Sequence, residues 1–249
     1  MRTIAFVTQK GGAGKSTLAS SVAVAACAAG ERVVVMDLDP LQTLVTWSAT
    51  RRDANLAVEH TSPAKLAKTL AALEKKGVTL VVIDAPGQGG EETLAAIRAA
   101  DLCVIPARPN AFDLWASEIT RATVKEAGVD YAFLLNQCPP SQQSARVELG
   151  AKALQAIGGL LAPLVSARVD YQEAARLGLG VTEYNPDGVA ALEMKELWGS
   201  IKRRLRRPAK PSAAKADPTA KPAIAEKTAP APKAPAQKSA QKKQPRKAA

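Results

Sequence analysis

Across roughly the first 200 residues, short unbroken apolar runs alternate with longer stretches whose apolar positions recur three and four apart. The runs at 3–8, 32–38 (RVVVMDL), 80–84 (LVVID), 102–106 and 131–136 (YAFLLN) lack the polar–apolar alternation of a half-wet strand. They predict strands covered on both faces, as in a parallel sheet. Segments 16–29, 63–76, 91–100, 112–127 and 145–157 carry the 3.6-residue period of helices that pack on such a sheet. Two have start signals: Ser62-Pro63 places proline at a first helical position, and Asn110 with Asp113 three residues on has the form of a capping box with Asp in place of Glu. Strand–helix alternation means βαβ units with right-handed crossovers. The predicted class is therefore α/β, a doubly wound, mostly parallel sheet with helices on both faces and its ligand site outside the carboxyl ends of the strands.

At Pro208 the pattern stops. Residues 208–249 contain 14 Ala, 8 Pro and 10 Lys plus Arg, with Ile224 the only large aliphatic side chain. Such a segment buries too little to offset the entropy of ordering and is expected to be a disordered basic tail, leaving 1–207 as the folded domain. Charge divides at nearly the same place. The chain of 249 residues has a formal net charge of +11, yet residues 202–249 hold 15 basic and 2 acidic side chains, so the first 201 residues are slightly acidic. A uniformly basic globule is excluded. Three cysteines (Cys27, Cys103, Cys138) in apolar or turn contexts are expected as free thiols, and a single histidine with no paired C-x-x-C leaves no zinc or cluster site. Arg2 leads into a strand-like run and a glycine loop rather than a cleavage site, so no signal peptide is expected, and no apolar run reaches the length of a membrane span.

The strongest chemical signal is Gln9-Lys-Gly-Gly-Ala-Gly-Lys-Ser-Thr17, placed between a predicted strand and a predicted helix. Small residues let backbone N–H groups approach phosphate oxygens, and the helix that follows directs its positive end at the same anion. On this reading Lys10, Gly11, Gly12, Ala13, Gly14, Lys15, Ser16 and Thr17 bind a nucleotide, Lys15 reaches the β- and γ-phosphates, and the Ser16 hydroxyl ligates Mg²⁺.

The usual P-loop has glycine where Gln9 stands, and this chain has a second lysine, Lys10, instead. That loop resembles the deviant P-loop of the ParA/MinD superfamily of ATPases that position DNA and other cargo, and the short ParA-type partitioning ATPases above all. The resemblance extends to Met36-Asp-Leu-Asp-Pro40, similar to the family's D-x-D-P switch, and to Val81-Val-Ile-Asp-Ala-Pro-Gly87, similar to its second acidic motif. Pro106-Ala-Arg-Pro-Asn-Ala-Phe-Asp-Leu-Trp-Ala116, the Asn136 strand end, Arg168-Val-Asp-Tyr-Gln-Glu-Ala174 and Glu183-Tyr-Asn-Pro186 carry it to about residue 205. The resemblance implies a P-loop NTPase fold and an ATP hydrolase that uses ATP and Mg²⁺ and sandwiches nucleotide in a homodimer. It implies that Lys10 reaches the partner's phosphates, Asp39 orients the attacking water, Asp37 and Asp84 support the Mg²⁺ shell with Ser16, and Asn136 contacts adenine. Asp113 is read chiefly as a helix cap. Leu41 follows the D-x-D-P where many relatives have glutamine, so Gln42 receives no role.

A last helix over 188–207 sets Leu192, Trp198, Ile201 and Leu205 among Lys195, Lys202, Arg203, Arg204, Arg206 and Arg207. Three readings stand: an apolar stripe packed on the core with a solvated basic end, a nonspecific DNA contact, or a membrane-surface helix of the MinD kind. Forty-two residues follow this helix, which argues against the membrane reading. The resemblance favours DNA, with Arg168 added to the candidate contacts. The expected protein is cytoplasmic and nucleoid-associated, and is released by an activating partner such as a centromere-binding or cargo adaptor protein. The cargo is not legible: plasmid, chromosome, chemoreceptor cluster and microcompartment remain open. An amide ligase would need room for a substrate or glutaminase module, and an iron-protein reductase would need cluster cysteines.

Overall fold

The computed structural model describes residues 1–53, 55–140 and 144–206, so the expected tail at 208–249 and Arg207 lie outside the described residues. Six strands are formed among the described residues: β1 (Arg2–Phe6), β2 (Val33–Asp37), β3 (Ala57–His60), β4 (Leu80–Asp84), β5 (Leu102–Ala107) and β6 (Asp130–Leu135). They form one sheet in the order β3-β2-β4-β1-β5-β6, and every pairing is parallel. The helices are α1 (Lys15–Ala28), α2 (Thr43–Ala49), α3 (Pro63–Lys75), α4 (Glu91–Ala99), α5 (Ala111–Glu126), α6 (Ala145–Ile157), α7 (Val169–Arg176), α8 (Val181–Tyr184) and α9 (Val189–Leu205).

Alternation along each strand divides the core in two. Ile4, Val35, Val82 and Val104 face one side and pack with Leu18 and Val22 of α1, Trp47 of α2, Tyr171 of α7 and Met194, Leu197 and Ile201 of α9. Ala5, Val34, Ile83, Cys103 and Phe133 face the other and pack with Leu66 of α3, Ile97 of α4, Val124 of α5 and Leu154 of α6. Helix α1 is buried continuously from Leu18 to Ala26, because it lies between the sheet and α8 and α9; alanine keeps those layers close. The three cysteines are free thiols, with Cys103 and Cys138 buried. Among the described residues no helix is long and apolar enough to cross a membrane.

The five expected strands and six expected helices are present with ends shifted by a residue or two. The sequence reading missed β3, α2, α7 and α8. Strand β3 is a four-residue edge strand with mostly exposed side chains, so it has no apolar run to detect. Helix α2 has only seven residues and two buried positions, too few for a period to register.

The fold positions chemistry through register. The β2–β4 pairing sets Asp37 directly beside Asp84, and the β1–β4 pairing sets Phe6 beside the same Asp84. Both carboxylates thus end their strands at the level where β1 gives way to the glycine loop. Adjacent β1 and β4 also send their connections in opposite directions along the sheet, β1 toward β2 and β4 toward β5, which is the position expected for a ligand crevice.

Candidate nucleotide site

The loop between β1 and α1 is held from outside by β6. The Asn136 side-chain amide donates to the Ala13 carbonyl at 2.8 Å, and that of Gln137 donates to the Gly12 carbonyl at 2.9 Å. Gly14 caps α1 at φ +90°, and a Cβ there would lie 2.4 Å from Asn136 Nδ2, so the position requires glycine. Asn136, expected at adenine, is therefore found bracing the phosphate loop. Gln137, which carried no expectation, does the same with φ +53°, a left-handed conformation uncommon for its type and concentrated near functional sites. The sequence signal available was the asparagine–glutamine pair itself, since two adjacent amides at a strand end are suited to hold loop carbonyls.

Lys15 is buried at the start of α1. Burial pulls its pKa down, while the Asp84 and Asp39 carboxylates oppose that shift. Asp84 is fully buried, and neither of its oxygens has a hydrogen-bond partner among the described residues. Burial, aided by Asp37 and opposed by Ser16 and Lys15, pushes its pKa up to about 7. Gly87 follows closely on Asp84, and a Cβ there would sit 3.2 Å from the Gly11 Cα and 3.5 Å from Lys15 Nζ. The second acidic motif thus brings its backbone against the phosphate loop, an approach that a side chain at Gly87 would crowd.

The two carboxylates of the D-x-D-P run have different duties. Asp37, expected to support Mg²⁺, has both oxygens engaged by backbone: Oδ1 accepts from Asp39 N–H at 3.0 Å, and Oδ2 accepts from Leu44 N–H at 3.0 Å and Val45 N–H at 3.4 Å. It caps α2 from the end of β2, because the helix's own N-cap residue, Gln42, makes no side-chain cap. Asp39 is half-buried and accepts from Leu41 N–H at 2.9 Å through one oxygen. Lys10 is half-buried on the loop and makes no ion pair among the described residues.

The capping box expected at α5 is half formed. Asn110 is the N-cap as expected, accepting from Asp113 N–H at 3.0 Å. The Asp113 carboxylate instead holds Arg108 in a two-point pair, Nε to Oδ1 at 2.8 Å and Nη2 to Oδ2 at 3.1 Å. Burial pushes the Asp113 acid up, but hydrogen bonds led by Arg108 hold it below the usual carboxylate range.

These residues fit a magnesium nucleotide. A fully buried carboxylate with two unsatisfied oxygens, a buried lysine and a glycine-shaped loop at a helix N-terminus together form an anion-and-cation site. Among the described residues no group of three or more His, Cys, Asp or Glu side chains could hold a metal by itself. An ion here would take its remaining ligands from phosphates and water, which is the habit of Mg²⁺.

Residues 4–204 match the family described as the CobQ/CobB/MinD/ParA nucleotide binding domain. The chain belongs to this family. It is 32% identical over 188 residues to the maintenance of carboxysome distribution protein A of Gloeobacter kilaueensis, covering 74% of this chain and 85% of that one. It is 30% identical over 134 residues to a protein ParA of Rhizobium radiobacter, covering 52% of this chain and 60% of that one. Its fold matches the septum site-determining protein MinD of Pyrococcus horikoshii, solved with Mg-ADP, at a TM-score of 0.68 and 19% identity, covering 82% and 96% of the two chains. The nucleotide of a ParA/MinD-type site is ATP with Mg²⁺.

The basic candidates of this family member are mostly paired. Arg168 binds Glu193 through Nη2 at 2.8 Å, Lys202 binds Glu31 at 2.6 Å, and Arg204 binds Asp130 through two nitrogens at 2.7 and 2.8 Å. Lys195 Nζ donates to the Pro186 carbonyl at 2.8 Å. Arg203 and Arg206 are exposed and make no ion pair among the described residues. Sequence reading saw the cations of α9 but not their partners, which lie 171 and 74 residues away.

Proposed function

We propose that this chain is an ATP-hydrolysing positioning protein that dimerises around nucleotide, holds DNA without sequence preference, and spaces a cargo until a partner stimulates hydrolysis. The observation that carries the reading is Lys10: a second lysine on the phosphate loop with no ion pair among the described residues, beside a buried Lys15 whose charged form Asp84 and Asp39 favour. A cation in that position is available to a second copy's phosphates, where it would stabilise the charge that develops on phosphoryl transfer. The relatives' names support a protein-built cargo as well as a chromosome, since one is named for carboxysome distribution and others for chromosome partitioning.

Each residue has a task. The loop N–H groups of Gly11–Ser16 and the Lys15 ammonium bind the phosphates. Ser16 and ionised Asp84, through water, would hold Mg²⁺, which neutralises charge on the phosphate oxygens when bound. Asp39, one oxygen anchored by Leu41 N–H, orients the attacking water with the other. An apolar stripe on α5 is available to a partner: Phe112, Trp115 and Ile119 lie at i, i+3 and i+7 and are 71, 64 and 58% exposed.

The test is Asp39→Ala, assayed for turnover and for ATP-dependent dimerisation by light scattering. Dimerisation with turnover reduced at least about a hundredfold supports the reading, given the usual scale of general-base contributions. Wild-type turnover in the variant overturns it. Adding DNA or anionic vesicles to the ATP-bound dimer separates a DNA track from a membrane track.

A further inference from the structure

We propose that Arg108 is a phosphate-contacting residue of this site and that Asp113 is the side chain that aims it. The proposal rests on the ATPase reading above and concerns a residue to which that reading gives no part. The buried Asp113 carboxylate, 2% exposed, is not needed by its helix, because Asn110 supplies the cap. What it does is fix a guanidinium by two edges, Nε and Nη2, with the Arg108 backbone N–H adding a weaker third contact at 3.4 Å. A fork held in this way has its plane set before any ligand arrives.

Nη1 is the nitrogen left over, with two N–H donors that make no hydrogen bond among the described residues. It lies 3.8 Å from where a Gly12 Cβ would stand, so it borders the shoulder of the phosphate loop. The Arg108 side chain is about one-third exposed, open enough to meet a ligand. A second tether keeps α5 in step with the loop: Gln9 N–H donates to Thr120 Oγ1 at 3.2 Å. A pair serving only stability would have no reason to leave its free donors beside an anion-binding loop. The geometry points to a phosphate oxygen of the nucleotide as the partner of Nη1, supplied either by this protomer or by a second copy across the loop.

The experiment uses the full chain and three proteins: wild type, Arg108→Lys, and the double variant Arg108→Gln with Asp113→Asn. The double variant removes both charges together, so no buried carboxylate is stranded and a hydrogen bond between the two side chains is kept. Fluorescent mant-ADP and mant-AMP are titrated, dimerisation with a non-hydrolysable ATP analogue is followed by light scattering, and melting is measured without nucleotide. We expect the double variant to melt within a few degrees of wild type and to bind mant-ADP about tenfold more weakly, the usual scale for one charge-assisted hydrogen bond, with a smaller change for mant-AMP. Arg108→Lys recovers only part of the loss, because an ammonium cannot serve Asp113 and a phosphate in one plane. That pattern places the phosphate in the same protomer. Unchanged mant-ADP affinity with analogue-driven dimerisation lost places it in the second copy. Unchanged binding and unchanged dimerisation overturn the proposal. Failure of the wild type itself to bind mant-ADP overturns the ATPase reading instead.

Discussion

The two edges of the sheet treat charge in opposite ways. At the carboxyl edge Asp84 is buried with both oxygens unsatisfied, Lys15 is held in a site that disfavours its charge, and Lys10 has no ion pair among the described residues. At the amino edge, about 17 to 20 Å away along strands of this length, cations find carboxylates. Lys202 meets Glu31 just before β2, and Arg204 meets Asp130 at the start of β6. At the one edge, Asp84 is left unpaired at a cost to the folded state; at the other, Lys202 and Arg204 are paired. An incomplete set of charges makes a binding site, because the missing partner is the ligand, whereas a completed set makes a joint between elements. The difference separates function from architecture on this molecule more sharply than net charge does.

The largest effect that would break this contrast comes from Lys15. Replacing it with alanine removes the main phosphate cation, so nucleotide affinity should fall about a hundredfold, at the upper end of what a hydrogen bond to a charged group supplies. Burial already works against the charged form of this lysine, so the nucleotide-free protein should melt no lower than wild type. Isothermal titration and thermal melts read the two quantities. A variant that binds as before, or whose apo form is clearly destabilised, would show that the carboxyl edge is as self-sufficient as the amino edge.

Asp84 gives a smaller effect with a definite sign. Its folded pKa, pushed up to about 7, lies above the ordinary carboxylate value near 4, so the folded chain keeps a proton that the unfolded chain has released. The stability from that proton is full below about pH 4 and is lost as pH rises to about 7. Asp84→Asn removes the dependence. The apo variant should match wild type near pH 4 and melt about 10 °C higher at pH 8, since about three pKa units at a few degrees per kcal/mol are lost by wild type over that range. A gap between the two proteins that does not widen with pH would mean that the carboxylate is satisfied.

How much of this was readable beforehand follows from the range of the interactions. The phosphate loop, both acidic strand ends and the long helices were legible because each depends on neighbours within about ten residues: a glycine run, a strand-end carboxylate, a 3.6-residue period. Asp37 was assigned to the metal because D-x-D-P resembles a switch, but whether its oxygens are free depends on where α2 starts, and α2 is too short to announce itself. The capping box at α5 was read from spacing, and its Asn110 half is present, but the Asp113 carboxylate turns to Arg108, which spacing does not reveal. The α5 stripe of Phe112, Trp115 and Ile119 has the right period for a core face, yet these side chains are exposed. Period identifies a helix without saying which side of it meets the sheet. The basic end of α9 was legible as charge, but the pairing of Lys202 and Arg204 was not, since Glu31 and Asp130 are remote in sequence.

That last point yields the smallest and most discriminating test. Glu31→Gln with Asp130→Asn removes the two carboxylates that neutralise Lys202 and Arg204 and touches nothing at the nucleotide site. These pairs are partly exposed, so their loss should cost about 1 kcal/mol or less each and leave ATP binding unchanged. If the end of α9 is a DNA face, freeing two cations should raise the affinity of the ATP-bound protein for nonspecific DNA a few-fold and steepen its logarithmic salt dependence by up to about two units. Removal of residues 208–249, which hold 10 basic and 2 acidic side chains, should act in the opposite direction. Salt titrations of the double variant with and without that segment separate the two contributions. A slope that follows the segment and ignores Glu31 and Asp130 would mean that α9 serves the amino edge only as a joint, and that DNA is held by the basic segment that follows it.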